Sequence, residues 1–353
     1  MNAYQLVKPL LFGLPAETAH DAVHAGMRVA QRTPAARALR DRYVVDDDRL
    51  RVDAFGQRFP NPVGVAAGFD KNARVPALLA SLGFGHVEVG GVTAEPQAGN
   101  PRPRMFRLRE DEAIVNRMGL NNQGADAVGE RLAAAAPDVP TPVGVNLAKT
   151  EHVAADDAPA DYRYTYERVA EGGDFFVVNV SCPNSEGFRD LQNRDSMEAI
   201  LSTLQDAGAS PLLVKLSPDL PDPAVEDALD LVTELGLDGV IAANTTTDRP
   251  EGLRSHNRAE EGGLSGRPLE PRATGMVRFV AERVDVPVVG VGGVFTAADA
   301  YRKLRAGAHV VQLYTGLVYR GPSIARDINE GLLDLLERDG FDSVEDAVGA
   351  DLD

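Results

Sequence analysis

A (β/α)₈ barrel, the TIM-barrel fold, is the fold class this sequence predicts, and three observations carry the prediction. First, eight short apolar runs follow one another: 62–68 (PVGVAAG), 86–91 (HVEVGG), 142–147 (PVGVNL), 174–181 (DFFVVNVS), 211–217 (PLLVKLS), 238–244 (DGVIAAN), 286–293 (VPVVGVGG) and 309–316 (HVVQLYTG). Each is rich in Val, Ile or Leu with little polar alternation, as expected of strands covered on both faces. Second, helical patterns separate them, such as 225–236, which stops at Gly236, and 297–307, which stops at Gly307, glycine being a common helix terminator. Third, a length of 353 residues suits one barrel with a small appendage. An open doubly wound sheet is the alternative reading of the same pattern.

The elements outside the repeat come in order. Residues 1–45 read as a helical extension, with two short helices over 2–12 and about 16–31. Leu6, Val7, Leu10, Leu11 and Phe12 cluster on the first, and Pro15 with Glu17 marks the start of the second. Residues 1–42 hold six basic residues (Lys8, Arg28, Arg32, Arg37, Arg40, Arg42) against three acidic ones (Glu17, Asp21, Asp41). An apolar face with a basic rim suits helices lying on a membrane surface; a helical lid packed on the barrel is the other reading. Residues 46–353 read as the barrel domain, acidic C-terminal tail included. Within it, 48–60 reads as a hairpin turning near Gly56 and closing the barrel bottom. The last stretch, 337–353, carries seven acidic residues and one arginine and reads as a solvated, partly ordered acidic tail.

Composition bounds the function. Thirty-six basic residues against 53 acidic ones give a net charge of −17, which repels nucleic acid and argues against a nucleic-acid partner. Only Lys8, Lys71, Lys149, Lys215 and Lys303 are lysines; the other basic residues are arginines. This acidic, lysine-poor composition is that expected in a high-salt cytoplasm. The single cysteine, Cys182, precludes an intrachain disulfide and fits a reducing compartment. No apolar run approaches the ~20 residues that span a bilayer, and the N-terminus lacks a signal-peptide pattern. No metal-ligand set is expected.

Barrel enzymes work at the C-terminal ends of their strands. The tips here read Ala67-Gly68-Phe69-Asp70-Lys71, Gly90-Gly91, Asn146 with Lys149 beyond, Asn179 to Asn184 through Cys182, Lys215, Asn244-Thr245, Gly292-Gly293 and Tyr314-Thr315-Gly316. Three of the five lysines, four asparagines and the only cysteine thus fall on one rim. Amide-rich tips suit a planar ligand with donors and acceptors on its edge. The glycine pair at 292–293 and the Tyr314–Gly316 turn match the usual barrel phosphate site, so a phosphate-bearing cofactor is expected. Lys215, inside an apolar strand, requires an anionic or electron-rich partner. Residues 262–266 read as a flexible glycine-rich loop closing over the site. A glycine pair alone is more often a turn, and a lone cysteine more often an inert core residue.

Several stretches, in order over some 250 residues, resemble the dihydroorotate dehydrogenases: AAGFDKNARVPALLASLGFGHVEVGGVT (66–93), PRPRMFRL (101–108), NRMGLNN (116–122), NVSCPNSEGFRDLQ (179–192), VKLSPDL (214–220), NTT (244–246), GGLSGRPL (262–269), VGVGGV (289–294) and QLYTG (312–316). The stretch LVKPLLFGLPAETAH (6–20) looks like the membrane-lying helical extension of the quinone-dependent class of that family.

The resemblance implies an FMN enzyme that oxidises dihydroorotate to orotate in pyrimidine biosynthesis and reduces a membrane quinone, bound peripherally to the cytoplasmic side of the cell membrane through residues 1–42. It implies that Cys182 is the base taking the C5 proton, carried by a loop over 182–192 hinged at Gly187. Lys71, Asn116, Arg117, Met118, Gly119, Leu120, Asn179, Asn184, Asn244 and Thr245 would hold the substrate. Ala67, Gly68, Phe69, Asp70, Lys71, Gly91, Asn146, Asn179, Lys215 and Ala243 would contact the flavin, and Gly266, Gly293, Tyr314 and Thr315 its phosphate end. Arg107 and Tyr314 would face the quinone.

Three positions depart from the family pattern. Cys182 stands where the quinone class uses serine, and Gly91 and Ala243 stand where threonine is common. The cysteine keeps a soluble-class enzyme, using fumarate or NAD, as the runner-up. A flavin barrel acting on RNA conflicts with the charge, and a non-catalytic nucleotide-binding barrel would not be bleached by dihydroorotate.

Overall fold

The computed structural model describes residues 3–180, 191 and 193–352. The chain opens with helices α1 (Ala3–Gly13), α2 (Ala16–Ala30) and α3 (Ala35–Tyr43). The first two match the expected pair; the third corrects the reading of two helices. Its signals are local: Pro34 stands at its start and Arg40 and Arg42 in its last turn, where cations complement the helix dipole. Buried Tyr43 and half-buried Leu39 pin it to the main core.

Strands β1 (Val52–Ala54) and β2 (Gln57–Phe59) pair antiparallel. Their two-residue turn places Phe55 at φ 37° and Gly56 at φ 70°, the double positive φ of a tight hairpin. The Phe59 ring lies 5.2 Å from that of His86, and Phe55 lies 5.2 Å from Phe175. The hairpin therefore seals the barrel's N-terminal end, as expected.

The βα repeat follows, with β3 (Val63–Val65), α4 (Pro76–Ser81) and β4 (His86–Val92). An excursion, β5 (Met105–Leu108) and β6 (Ala113–Asn116), precedes α5 (Gly124–Ala135). The repeat resumes with β7 (Val143–Leu147), α6 (Ala158–Val169), β8 (Phe175–Asn179), α7 (Arg194–Asp206), β9 (Leu212–Leu216), α8 (Asp222–Leu235) and β10 (Gly239–Ala242). It ends with β11 (Gly263–Gly266), α9 (Glu270–Ala281), β12 (Val288–Val291), α10 (Ala297–Arg305), β13 (Ala308–Leu313), α11 (Thr315–Arg320), α12 (Ile324–Asp339) and α13 (Val344–Ala347).

Strands β3, β4, β7, β8, β9, β10, β12 and β13 close in that order into a parallel barrel. The β13–β3 pairing settles the question of an open sheet. All eight are the predicted apolar runs. Helix ends obey local chemistry: α8 stops at left-handed Gly236, and α10 starts with a reciprocal capping box between Thr296 and Asp299.

Two further expectations are corrected. Residues 263–266 are not a flexible loop but strand β11, paired antiparallel to β6 with Gly263 opposite Asn116 and Gly266 opposite Ala113. With β5 they form a three-stranded sheet beside the barrel mouth. The acidic C-terminus is likewise packed. Within 337–353, Val344 and Ala347 of α13 are buried. Arg305 pairs with Asp339 at 3.1 Å and with Asp351, so part of the acidic charge serves to anchor the tail.

Candidate active site

The barrel tips enclose a polar cavity of about 170 Å³. The turn after β3 contributes Ala67, Gly68 and Lys71, and the end of β4 contributes Gly91. Asn146, Asn179 and Lys215 reach in from β7, β8 and β9, and Ala243, Asn244 and Thr245 follow β10. Asn116 at the end of β6, with Met118, Gly119 and Leu120, forms one side, and Tyr314 after β13 another. Fifteen of the site residues expected from sequence thus line one cavity.

Other expected residues serve the surroundings. The Asp70 carboxylate accepts the backbone N–H groups of Arg74 (2.9 Å) and Val75 (2.7 Å) and so shapes the loop entering α4. Phe69 faces α2, its ring 5.3 Å from His20 and 5.0 Å from His24. Arg117 turns outward to Glu260 at 3.0 Å. Lys149 leaves the expected trio of rim lysines, because its ammonium is spent on the carbonyls of Thr150 (2.9 Å) and Glu151 (3.2 Å). Cys182, Asn184 and Gly187 lie outside the described residues.

The cavity floor is one hydrogen-bonded network. Glu88 of β4, fully buried, accepts from Asn146 Nδ2 at 2.6 Å and from Lys215 Nζ at 3.3 Å through the same oxygen, Oε1. Asn146 Oδ1 in turn accepts from Asn179 Nδ2 at 3.1 Å. The partner that Lys215 requires is therefore a protein carboxylate behind the cavity. The reading by strand tips misses Glu88, although a carboxylate within the apolar run HVEVGG carries the same signal as a buried lysine. At the cavity edge, burial pulls the Lys71 ammonium down to about 8, against the attraction of Glu17.

Gly266, Gly293 and Thr315 do not line the polar floor; they gather at its flank. Ser265, on the cavity wall, lies 2.8 Å from Thr315 through their hydroxyls. Gly266 (φ 105°) and Gly293 (φ 74°) adopt left-handed backbone. A side chain on Gly266 would meet the Glu112 carbonyl at 2.5 Å, and one on Gly293 would meet the Glu270 backbone at 2.4 Å. Helix α11 begins at Thr315, where first-turn N–H groups lack intrahelical acceptors. An amide-lined floor with one ammonium, flanked by a small-residue cradle at a helix start, fits a phosphate-bearing planar cofactor.

A second, apolar cavity of about 430 Å³ lies beneath the N-terminal helices. Tyr4, Val7, Leu11 and Phe12 of α1 and Ala19, His20 and Val23 of α2 line it. Met105, Ile114 and Tyr314 border both cavities. Arg107 lines the apolar one, donates to the carbonyls of Leu11 (3.1 Å) and Leu14, and covers the Phe12 ring. Burial and the nearby Lys71 charge hold His20 well below its ordinary value, so its ring is neutral at pH 7. Helix α2 is fastened to the barrel by Glu17, whose carboxylate takes Arg104 at 2.7 Å and Arg102 at 2.9 Å. Leu6 (70% exposed) and Leu10 (74%) of α1 and Val29 (67%) of α2 face outward.

The sequence pattern of the dihydroorotate dehydrogenase family matches residues 49–336. The chain is 74% identical to the dihydroorotate dehydrogenase (quinone) of Haloarcula marismortui over 352 residues, spanning the whole of both proteins. It is 67% identical to that of Natronomonas pharaonis, again over both full lengths, and 48% identical to that of Thermobifida fusca over 99% of this chain and 97% of the relative. Among solved structures, the DHODH of Eimeria tenella in complex with ferulenol aligns with a TM-score of 0.88 at 39% identity over 95% of each chain. Fold, cavity and relatives agree, and the chain belongs to the dihydroorotate dehydrogenase family.

Proposed function

We propose that the protein oxidises (S)-dihydroorotate to orotate with bound FMN and delivers the electrons to a membrane quinone, the redox step of pyrimidine (UMP) biosynthesis. One observation carries the reading: a polar cavity at the strand tips and an apolar cavity under the N-terminal helices share Met105, Ile114 and Tyr314 as their common wall. A polar substrate and an apolar acceptor can each occupy a chamber of matching chemistry. FMN, when bound, supplies the hydride acceptor for the first and the electron donor for the second.

The residues act as follows. Lys71 offers a cation to the substrate carboxylate. Asn116, Asn179, Asn244 and Thr245 present donors and acceptors to the pyrimidine edge, with Asn184 added from the sequence pattern. Cys182 removes the C5 proton, as the resemblance implies. Lys215 and Asn146 would hold the flavin ring, and Gly266, Gly293 and Thr315 its phosphate end. Arg107, His20 and Tyr314 edge the quinone chamber.

Association with the membrane is peripheral, on the cytoplasmic side. No helix among the described residues is long and apolar enough to cross a bilayer. The outward Leu6, Leu10 and Val29 dip into the interface while Arg32, Arg37, Arg40 and Arg42, all exposed, meet headgroups. The acidic surface fits a halophilic protein.

The test is anaerobic. Purified protein should be yellow, bleach with dihydroorotate, and recover its colour with a quinone analogue. Recovery with fumarate or NAD in place of the quinone would move the enzyme to the soluble class that Cys182 brings to mind, and failure to bleach would overturn the reading altogether.

A further inference from the structure

We infer that Glu88 is a positioning residue of the redox site, setting both how much of the Lys215 charge the flavin feels and which way the amides of Asn146 and Asn179 point. The inference rests on the reading of the polar cavity as the flavin site.

Glu88 does not line the cavity; Lys215, Asn146 and Asn179 do. It sits one layer below them on β4, with no exposed surface. Oε1 receives both Lys215 Nζ (3.3 Å) and Asn146 Nδ2 (2.6 Å). Oε2 is buried and meets no donor among the described residues. Among the described residues, the carboxylate's hydrogen bonds thus run to Lys215 and Asn146, both of which line the cavity.

Two consequences follow from elementary chemistry. A carboxylate only accepts, so Asn146 must turn its NH₂ toward Glu88 and its carbonyl away. That carbonyl receives Asn179 Nδ2 at 3.1 Å, which fixes the second amide in turn. A neutral amide at position 88 would offer both donor and acceptor and remove this polarity. Second, an ammonium beside a buried carboxylate presents a partly cancelled charge to its other neighbours. Without the carboxylate, Lys215 would stabilise added negative charge on the flavin more strongly.

The experiment uses the full-length holoenzyme and the redox equilibrium of its bound flavin against reference dyes, beside KM for dihydroorotate. Glu88→Gln keeps the shape and removes the charge. The expected result is a fivefold or larger shift of the equilibrium toward reduced flavin; a smaller shift, or one toward oxidised flavin, overturns the inference. Glu88→Asp keeps the charge on a shorter arm. It should hold the equilibrium within fivefold of wild type while KM rises, because Asn146 and Asn179 lose their anchor; an equilibrium displaced further overturns the inference. Failure of both variants to fold overturns it in favour of a purely structural carboxylate. Wild-type protein that is not bleached by dihydroorotate sinks the reading of the site itself, whereas a bleachable wild type beside an unmoved Glu88→Gln sinks this inference alone.

Discussion

Lys71 brings a cation to the edge of the polar cavity at the expense of its own basicity, burial having drawn it down to about 8. In the proposed role of Lys71 the charged form meets the substrate carboxylate, so affinity should be present below that pH and fade above it. KM for dihydroorotate, measured from pH 6.5 to 9.5, should rise once the pH exceeds about 8, and the rise should vanish in Lys71→Arg, whose guanidinium stays protonated. At Cys182 a thiol, with an ordinary pKa of about 8.5, replaces a hydroxyl. Cys182→Ser is expected to move the optimum for flavin reduction to higher pH, and an unchanged profile would remove the thiol from the role of base. The residues legible in the sequence were those at strand tips. Asn146, Asn179 and Asn244 stand where an apolar run ends and Lys215 stands within one, and a polar group there needs a partner. Glu88 escapes such a reading because its partners, Lys215 and Asn146, lie 127 and 58 residues away on other strands. Only closure of the barrel brings the three together.

Helix α2 is held to the barrel by charge as well as packing, since Glu17 and Arg104 are both nearly buried. Burial pushes the Glu17 carboxyl up, but hydrogen bonds and attraction from Arg104 and Arg102 outweigh it and hold the group below its ordinary value. A carboxyl depressed in the folded state contributes stability above its unfolded pKa, near 4.5, and loses it as pH falls through the folded value. Docking of α2 should therefore weaken as the pH falls below the ordinary carboxyl value of 4.5. Glu17→Gln should produce the same effect at neutral pH by leaving Arg104 buried without its counter-ion, a cost of about 3–5 kcal/mol for a buried pair. Quinone turnover is expected to fall several-fold while flavin reduction by dihydroorotate persists; equal loss of both would place the pair's role in the barrel. At this scale the eight barrel strands were readable because continuous apolar runs announce strands buried on both faces. The sheet of β5, β6 and β11 was not. Its strands are four residues each, β11 begins and ends in glycine, and its pairing joins Asn116 to Gly263 across most of the barrel.

The molecule as a whole carries −17. Such a charge opposes compaction by self-repulsion, and salt relieves it by shortening the screening length from about 10 Å at 0.1 M to about 3 Å at 1 M. The melting temperature should therefore climb steadily between 0.1 M and 3 M KCl, and a flat dependence would remove halophily from the account. Composition made this charge plain, and it made plain the basic N-terminal segment, but not that the acidic tail is tied down by Arg305, since which acid meets which base is settled only by the folded surface. The shared partition of Met105, Ile114 and Tyr314 has its own kinetic corollary. Two reactants housed on opposite sides of one septum never compete for the same space. Turnover should then obey two-site ping-pong kinetics, and an apolar inhibitor lodged under α1 and α2 should depress the maximal rate without displacing orotate from the other side.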